Sequence, residues 1–224
     1  MNIFNFIFYQ PIYNLLFFLY KYLPGHDLGI AIILLTVIIR FILHPLSNYS
    51  LKNQKVLSKL QPKILEIQKK YKDDKEKQTK AQMELYQKEK VNPFSGCLPL
   101  LLQLPILIAL YQVFLKGLDP KIFNFISLGI VDLSKPNLFL ALATGVLQFF
   151  QTKISMVVSK ETTKETVKGT NSFTKVFQNQ MLYFFPVLAV YIVYKFGSII
   201  GFYWIVSSLF SIWEQHKINK VYAR

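Results

Sequence analysis

Residues 28–46 read LGIAIILLTVIIRFILHPL and decide the fold, because a stretch this long and apolar can cross a membrane as one helix. Its only arginine or lysine is Arg40. A charge at the bilayer centre costs about 2.5–3.5 kcal/mol on insertion scales. Two interpretations follow. Either the side chain reaches the headgroups, about 9 Å away at the end of the stretch, or it faces a water-filled cavity inside the protein.

The composition of the whole chain also favours a membrane protein. Of its 224 residues, 52% are hydrophobic and 16% aromatic, yet the net charge is +14. So much apolar surface could not all be buried in so small a core. A bilayer removes this conflict, because apolar segments face lipid while the charges collect in loops.

Four further apolar stretches complete a prediction of five spans. The last two are shorter than the roughly 20 residues that a span needs, and only Lys195-Phe196-Gly197 separates them. They could form one long buried element, but Gly197 and Ser198 permit a turn, which favours a tight hairpin. The predicted spans lie near residues 28–46, 97–115, 138–158, 181–194 and 198–213.

The first 27 residues allow two interpretations. The segment Ile3–Leu23 is apolar, but Pro11 interrupts it and polar residues are scattered through it. We expect residues 1–27 to form an amphipathic helix in the extracytoplasmic interface, with a sixth span as the alternative. The start MNIFNFIFYQP lacks the basic region of a cleavable signal.

The long segment 47–95, which follows the first span, sets the orientation. It contains twelve lysines, and positive loops stay in the cytoplasm, so we expect the N-terminus outside and the C-terminus inside. Apolar residues at helical spacing on both sides of Lys72–Lys75 predict a cytoplasmic helical hairpin inserted in a core of residues 28–224. Its lysines suit contact with anionic lipids, and also docking of nascent chains or ribosomes.

Several spans carry polar side chains, and polar groups in lipid need partners. Thr36 lies one turn before Arg40 on the same helix face. Together, the polar residues of the spans indicate a water-filled groove inside the protein. No acidic residue lies deep in a span, so Arg40 is expected to lack a counter-ion and to attract an acidic guest. The other polar residues of the spans are Gln103, Gln112, Gln148, Gln151, Tyr203, Ser207 and Ser208.

No motif for catalysis or cofactor binding is present. The chain has no GxSxG, HExxH or phosphate-loop pattern, so neither bond-breaking chemistry nor a bound cofactor is expected. Cys97 is the single cysteine, which excludes a disulfide framework and predicts no metal site. His26, His44 and His216 are far apart, and each is interpreted as an ordinary interfacial side chain.

Four segments carry a resemblance to the YidC/Oxa/Alb membrane insertases, and the resemblance extends from Leu28 to His216. It implies an all-α core of five transmembrane helices around a hydrophilic groove that is open to the cytoplasm. It also implies that Arg40 and Thr36 are groove residues, that Tyr203 and Trp204 line a substrate slide, and that Gln103 and Gln148 belong to the groove. The segments are TVIIRFILHPLS (36–47), KVNPFSGCLPLLLQLPI (90–106), TGVLQFFQTKIS (144–155) and GFYWIVSSLFSIWEQ (201–215).

The function implied by the resemblance is insertion of nascent membrane proteins into the bacterial inner membrane, without covalent chemistry. The Sec translocon and the ribosome are then candidate partners, and no small-molecule substrate is expected. The large extracytoplasmic domain of some bacterial members is not expected here. A small transporter or channel is the alternative function, and a membrane scaffold is a further one.

Overall fold

The computed structural model describes residues 3–92, 98–160 and 172–222. Its described part is built almost entirely of helices. A π-helical turn, Asn5–Tyr9, leads into α1, and a second one, Val113–Gly117, extends α4. The helices are α1 (Gln10–Tyr22), α2 (Leu28–Lys70), α3 (Lys75–Lys88), α4 (Leu98–Gln112), α5 (Leu138–Lys160), α6 (Ser172–Phe196) and α7 (Ser198–Tyr222).

Helix α2 is much longer than the predicted first span. It continues without interruption for 43 residues, through Pro45 and Pro62, and is about 65 Å long at 1.5 Å per residue. The sequence boundary at residues 46 and 47 is therefore a change of composition within one helix and not a break. A proline removes only one backbone hydrogen bond, which the turns on either side can tolerate.

The main hydrophobic core lies where α1, the first half of α2, α4 and α7 meet. Helix α1 buries one face, formed by Ile12, Leu16 and Tyr20, which have the spacing of a single helical stripe. Leu28 and Leu35 of α2 are fully buried in the same cluster. Helix α7 packs between α2 and α5, and α5 packs in turn on α6.

A short antiparallel hairpin of strands β1 (Ile126–Ser127) and β2 (Val131–Asp132) is joined to the start of α2. Asp27 caps α2 by accepting a hydrogen bond from the Ile30 N–H at 3.0 Å. Its carboxylate also accepts from the Ser127 hydroxyl at 2.7 Å and from the Leu128 N–H at 2.6 Å. Partial burial acts to raise the pKa of Asp27, but these hydrogen bonds outweigh it and hold the pKa below 3.8.

The second half of α2 packs against α3 in a small separate cluster. Leu60 and Ile64 of α2 contact Val91, which follows α3. Asp74 caps α3 through the Lys77 N–H at 3.0 Å, and the bounds of α3 leave residues 71–74 as the turn between the helices. The cluster has only these three buried apolar side chains in the described part of the chain, so the arm, residues 47–92, depends on few contacts.

Helices α6 and α7 are separated by a single residue. Gly197 has a φ of +102°, a conformation that residues with a side chain rarely adopt. The break between α6 and α7 falls where the sequence predicts a turn. Both helices have 25 residues and extend beyond the predicted spans 181–194 and 198–213. Apolar content alone underestimates their length, because each helix continues into polar residues.

Two helices within the described residues are long and apolar enough to cross a membrane, the one at Leu28–Lys70 and the one at Leu138–Ser155. Shorter apolar helices are found at Gln103–Gln112 and Leu182–Phe196. Cys97, which starts the predicted span 97–115, and the end of the predicted hairpin lie outside the described residues.

Candidate functional site

A line of polar side chains follows one face of α2, and a second line follows the facing surface of α7. Both lines use helical spacings of three or four residues, which keep the side chains on one side of each helix. Gln103 of α4 lies against both lines. We name this set the polar seam: Thr36, Arg40, His44 and Asn48 of α2, Gln103 of α4, and Tyr203, Ser207, Ser211 and Glu214 of α7.

Arg40 is the centre of the seam. Its Nε donates to the Ser207 hydroxyl at 2.9 Å, and its Nη2 donates both to that hydroxyl and to Gln103 Oε1, the latter at 3.3 Å. Gln103 in turn donates from Nε2 to the Tyr203 hydroxyl. Three helices are thus joined by one guanidinium group, whose five N–H donors lie in a fixed plane.

Part of the Arg40 guanidinium has no hydrogen-bond partner among the described residues. Among the described residues, Nη1 donates to none, and the side chain is partly exposed. The seam walls around it are buried: Ser207 and Tyr203 are each 3% exposed. A charge with buried neighbours and a free donor pair can bind a carboxylate or carbonyl group more strongly than it would in bulk water.

His44 and Glu214 continue the seam beyond Arg40. Nδ1 of His44 lies 2.5 Å from the Glu214 carboxylate, and its Nε2 lies 2.8 Å from the Asn48 side-chain nitrogen. Glu214 is 2% exposed. His44 thus has a buried carboxylate partner, which its interpretation as an ordinary interfacial side chain did not anticipate.

The sequence carried a signal for these residues that the composition of the spans concealed. His44 follows Arg40 by four residues, and Glu214 follows Ser207 by seven, so each pair shares a helix face. Glu214 lies one residue beyond the predicted span 198–213. Because Glu214 lies just outside the apolar stretch, it is not among the acids that the stretch itself contains.

Three of the predicted groove residues do not hydrogen-bond to Arg40 or to its partners. They are Thr36, Gln148 and Trp204. Thr36 is fully buried, and its hydroxyl donates within its own helix to the Ile32 carbonyl at 2.7 Å. The Trp204 indole N–H donates to Gln148 Oε1 at 2.9 Å. Tyr203 and Trp204 are consecutive and point about 100° apart on α7. The structure therefore brings Arg40, Gln103 and Tyr203 together, and it pairs Gln148 with Trp204 separately.

Aromatic rings enclose the end of the seam where His44 lies. The His44 ring lies 5.7 Å from the Trp213 ring and 6.2 Å from the Phe210 ring, and Phe41 packs edge-on against Phe210 at 5.3 Å. No group of three histidine, cysteine, aspartate or glutamate side chains in the described ranges could hold a metal ion. The seam is thus suited to hydrogen bonding and electrostatic attraction.

Fold and seam together define a class: a helical membrane protein with an internal polar seam organised by one arginine. The sequence model of the family described as "60Kd inner membrane protein" matches residues 18–224. The chain belongs to this family, which places it among the inner membrane proteins of bacteria.

Its relatives carry one common name. Membrane protein insertase YidC of Geobacter metallireducens is 37% identical over 214 residues, which are 96% of this chain and 37% of the relative. Membrane protein insertase YidC of Fusobacterium nucleatum is 36% identical over 194 residues and is covered to 87%, as is this chain. The chain thus spans about a third of the length of some relatives and most of others.

A solved structure has a similar fold. It is described as an active YidC insertase crystal structure with the first transmembrane domain resolved, and it is 29% identical to this chain. The TM-score is 0.61, and the match covers 93% of this chain and 45% of that one.

Proposed function

We propose that this chain is a membrane protein insertase, which lowers the cost of moving polar parts of a nascent protein into the bilayer. The observation that carries the proposal is the hydrogen bonding of Arg40 to both Gln103 and Ser207 inside the helical bundle. A charged group is costly within the membrane, so an arginine there indicates a functional site. The names of the relatives agree with this assignment.

We further propose five spans, formed by the first half of α2 and by α4, α5, α6 and α7. With its π-helical turn, α4 has about 20 residues, which is the length that a span needs. Helices α5, α6 and α7 have 23 to 25 residues, so each is longer than the roughly 30 Å thickness of a bilayer core. Residues 1–27 would form a helix in the extracytoplasmic interface, and residues 47–95 a cytoplasmic hairpin inserted in the core of residues 28–224.

The direction of the two seam helices supports this topology. Arg40 bonds to Ser207, and His44, further along α2, bonds to Glu214, further along α7. The partner numbers rise together, so α2 and α7 run in the same direction. Parallel first and last spans require an odd number of crossings, which puts the two chain ends on opposite sides. The lysine-rich arm then favours an N-terminus outside and a C-terminus in the cytoplasm.

The proposed mechanism involves no covalent step. An incoming hydrophobic segment meets the basic arm first, where lysines also contact anionic lipid. Its polar flank is then held at the seam by Arg40 and Gln103, which replace part of the water that the flank loses. Its apolar part leaves along Tyr203, Trp204 and Gln148 into lipid. Nascent membrane proteins are the clients, and the Sec translocon and the ribosome are candidate partners.

Depletion of a bacterium's own insertase provides the test. Expression of this chain should restore growth and the insertion of a short two-span client, and purified chain in liposomes should insert that client without a small-molecule substrate. Ion flux through those liposomes, with no client insertion, would contradict the proposal and favour a channel.

A further inference from the structure

Glu214 is the one acid in the described residues that is both buried and part of the polar seam. Water has almost no access to its carboxylate, because the side chain is 2% exposed. His44 contacts it directly at 2.5 Å, and Asn48 fixes the other side of the His44 ring. Two helices therefore hold this carboxylate in one position.

The charge of Glu214 acts on Arg40. The carboxylate contacts His44, which follows Arg40 by about one turn of α2. It lies two turns along α7 from Ser207, to which Arg40 bonds, which is roughly 10 Å along the helix axis. At that separation two unit charges still interact appreciably when protein, and not water, lies between them.

The burial of Glu214 weakens the screening of this interaction by salt. Phe210 and Trp213 lie against the His44 ring, and Phe41 packs on Phe210. The nearest lysine on α7 in this region, Lys217, lies over the outer face of Trp213 at 5.4 Å. Buried charges are screened much less than exposed ones, so Glu214 reduces the positive potential that a guest meets at Arg40.

We infer that Glu214, held by His44 and Asn48, is a specificity-determining residue that sets how strongly the seam attracts acidic client segments. This inference rests on the proposed insertase function. Arg40 favours acidic flanks, and Glu214 opposes them. A seam with both charges accepts neutral and mildly acidic flanks, whereas a seam with Arg40 alone would select strongly for acidic ones.

The experiment compares initial insertion rates into liposomes for three clients that differ only in the flank: two aspartates, two asparagines or two lysines. In Glu214→Gln, which keeps size and hydrogen bonding, the ratio of acidic to neutral rates should rise by roughly two- to tenfold. The lysine client should slow relative to the neutral one. Glu84→Gln is the matched control, because it removes an exposed acid of the arm and should leave both ratios unchanged.

Glu214→Asp protects against a folding defect in the first variant. It disturbs the packing at the same position but keeps a carboxylate there, so the ratio of acidic to neutral rates should stay close to that of the unaltered chain, and an equal rise in both Glu214 variants would overturn the inference. An unchanged or lower ratio in Glu214→Gln, or an equal rise in Glu84→Gln, would overturn the inference. Failure of the unaltered chain to insert even the neutral client would instead overturn the proposed function.

Discussion

The two halves of α2 belong to one helix and have opposite environments. In residues 28–46, Arg40 and Thr36 face other helices, and Leu28, Ala31 and Leu35 are fully buried. In residues 47–70, most side chains are partly or fully exposed, and the apolar contacts form only the small cluster shared with α3. Polar groups in the first half are therefore held mainly by tertiary contacts, whereas most of those in the second half are also open to solvent.

This contrast shows where function is concentrated along the helix. A polar side chain in the first half is costly and is retained with a partner, so its loss has large consequences. A lysine of the second half is one of twelve in the arm and is individually replaceable. Substitutions in the two halves should therefore differ sharply in effect.

Arg40→Ala should have the largest effect. It removes the group that joins α2 to α4 and α7, and charge-assisted hydrogen bonds of this kind contribute about 1.5–3 kcal/mol each. Insertion of an acidic-flanked client should fall at least roughly tenfold. Arg40→Lys keeps the charge but loses the planar fork, so it should retain part of the activity.

The measurement is the initial insertion rate into liposomes at equal amounts of folded protein. Lys59→Ala is the control from the other half of the same helix, since its side chain is exposed there. Equal losses in Arg40→Ala and Lys59→Ala would show that the two halves do not differ as described.

The second prediction compares two aspartates that cap helices in the same way. Asp27 and Asp74 each accept an N–H hydrogen bond at 3.0 Å, but Asp27 also holds Ser127 and Leu128. Asp27→Ala should destabilise the core by about 0.5–2 kcal/mol from the cap alone, and further through the lost loop contacts. Asp74→Ala should leave the unfolding temperature of the core unchanged, because it loosens only the arm.

The effect of Asp27 should depend on pH in one direction. Its pKa is lowered in the folded state, so its stabilisation is complete above the ordinary value near 3.8 and is lost as the pH falls through the lower folded value. The difference in unfolding temperature between the unaltered chain and Asp27→Asn should therefore shrink below about pH 4. A difference that stayed constant from pH 6 to pH 3 would contradict the role of the carboxylate.

The smallest effect is expected at the ion pair of the arm. Lys63 and Glu89 lie 2.8 Å apart, and the lysine side chain is 58% exposed. Exposed pairs contribute little because water and salt screen them. Lys63→Gln should change neither the unfolding temperature nor the insertion rate measurably, and a loss as large as that of Arg40→Ala would contradict this ranking.

Sequence reasoning was most successful where a residue is unusual in its own segment. Arg40 is conspicuous because nothing else between residues 28 and 43 is charged, and the turn at Gly197 is marked by a glycine between two apolar stretches. Both features are local. The spacing of four between Thr36 and Arg40 likewise identifies a shared helix face without any structure.

The sequence could not identify partners across the fold. Ser207 is 167 residues from Arg40, and Glu214 is 170 residues from His44, so no periodicity within one segment links them. The continuity of α2 through Pro45 was also hidden, because a change from apolar to charged residues looks like a boundary. Only the packing of α7 on α2 shows which of many polar side chains meet.

Photo-crosslinking tests the central claim, that the seam holds the client. A photoreactive residue at Trp204, which is partly buried beside the seam, should capture a stalled nascent chain, and this adduct should weaken strongly in an Arg40→Ala background. The same residue at Phe139, which is 78% exposed at the start of α5, should capture little. Equal capture at both positions, or capture at Trp204 that does not depend on Arg40, would contradict the account.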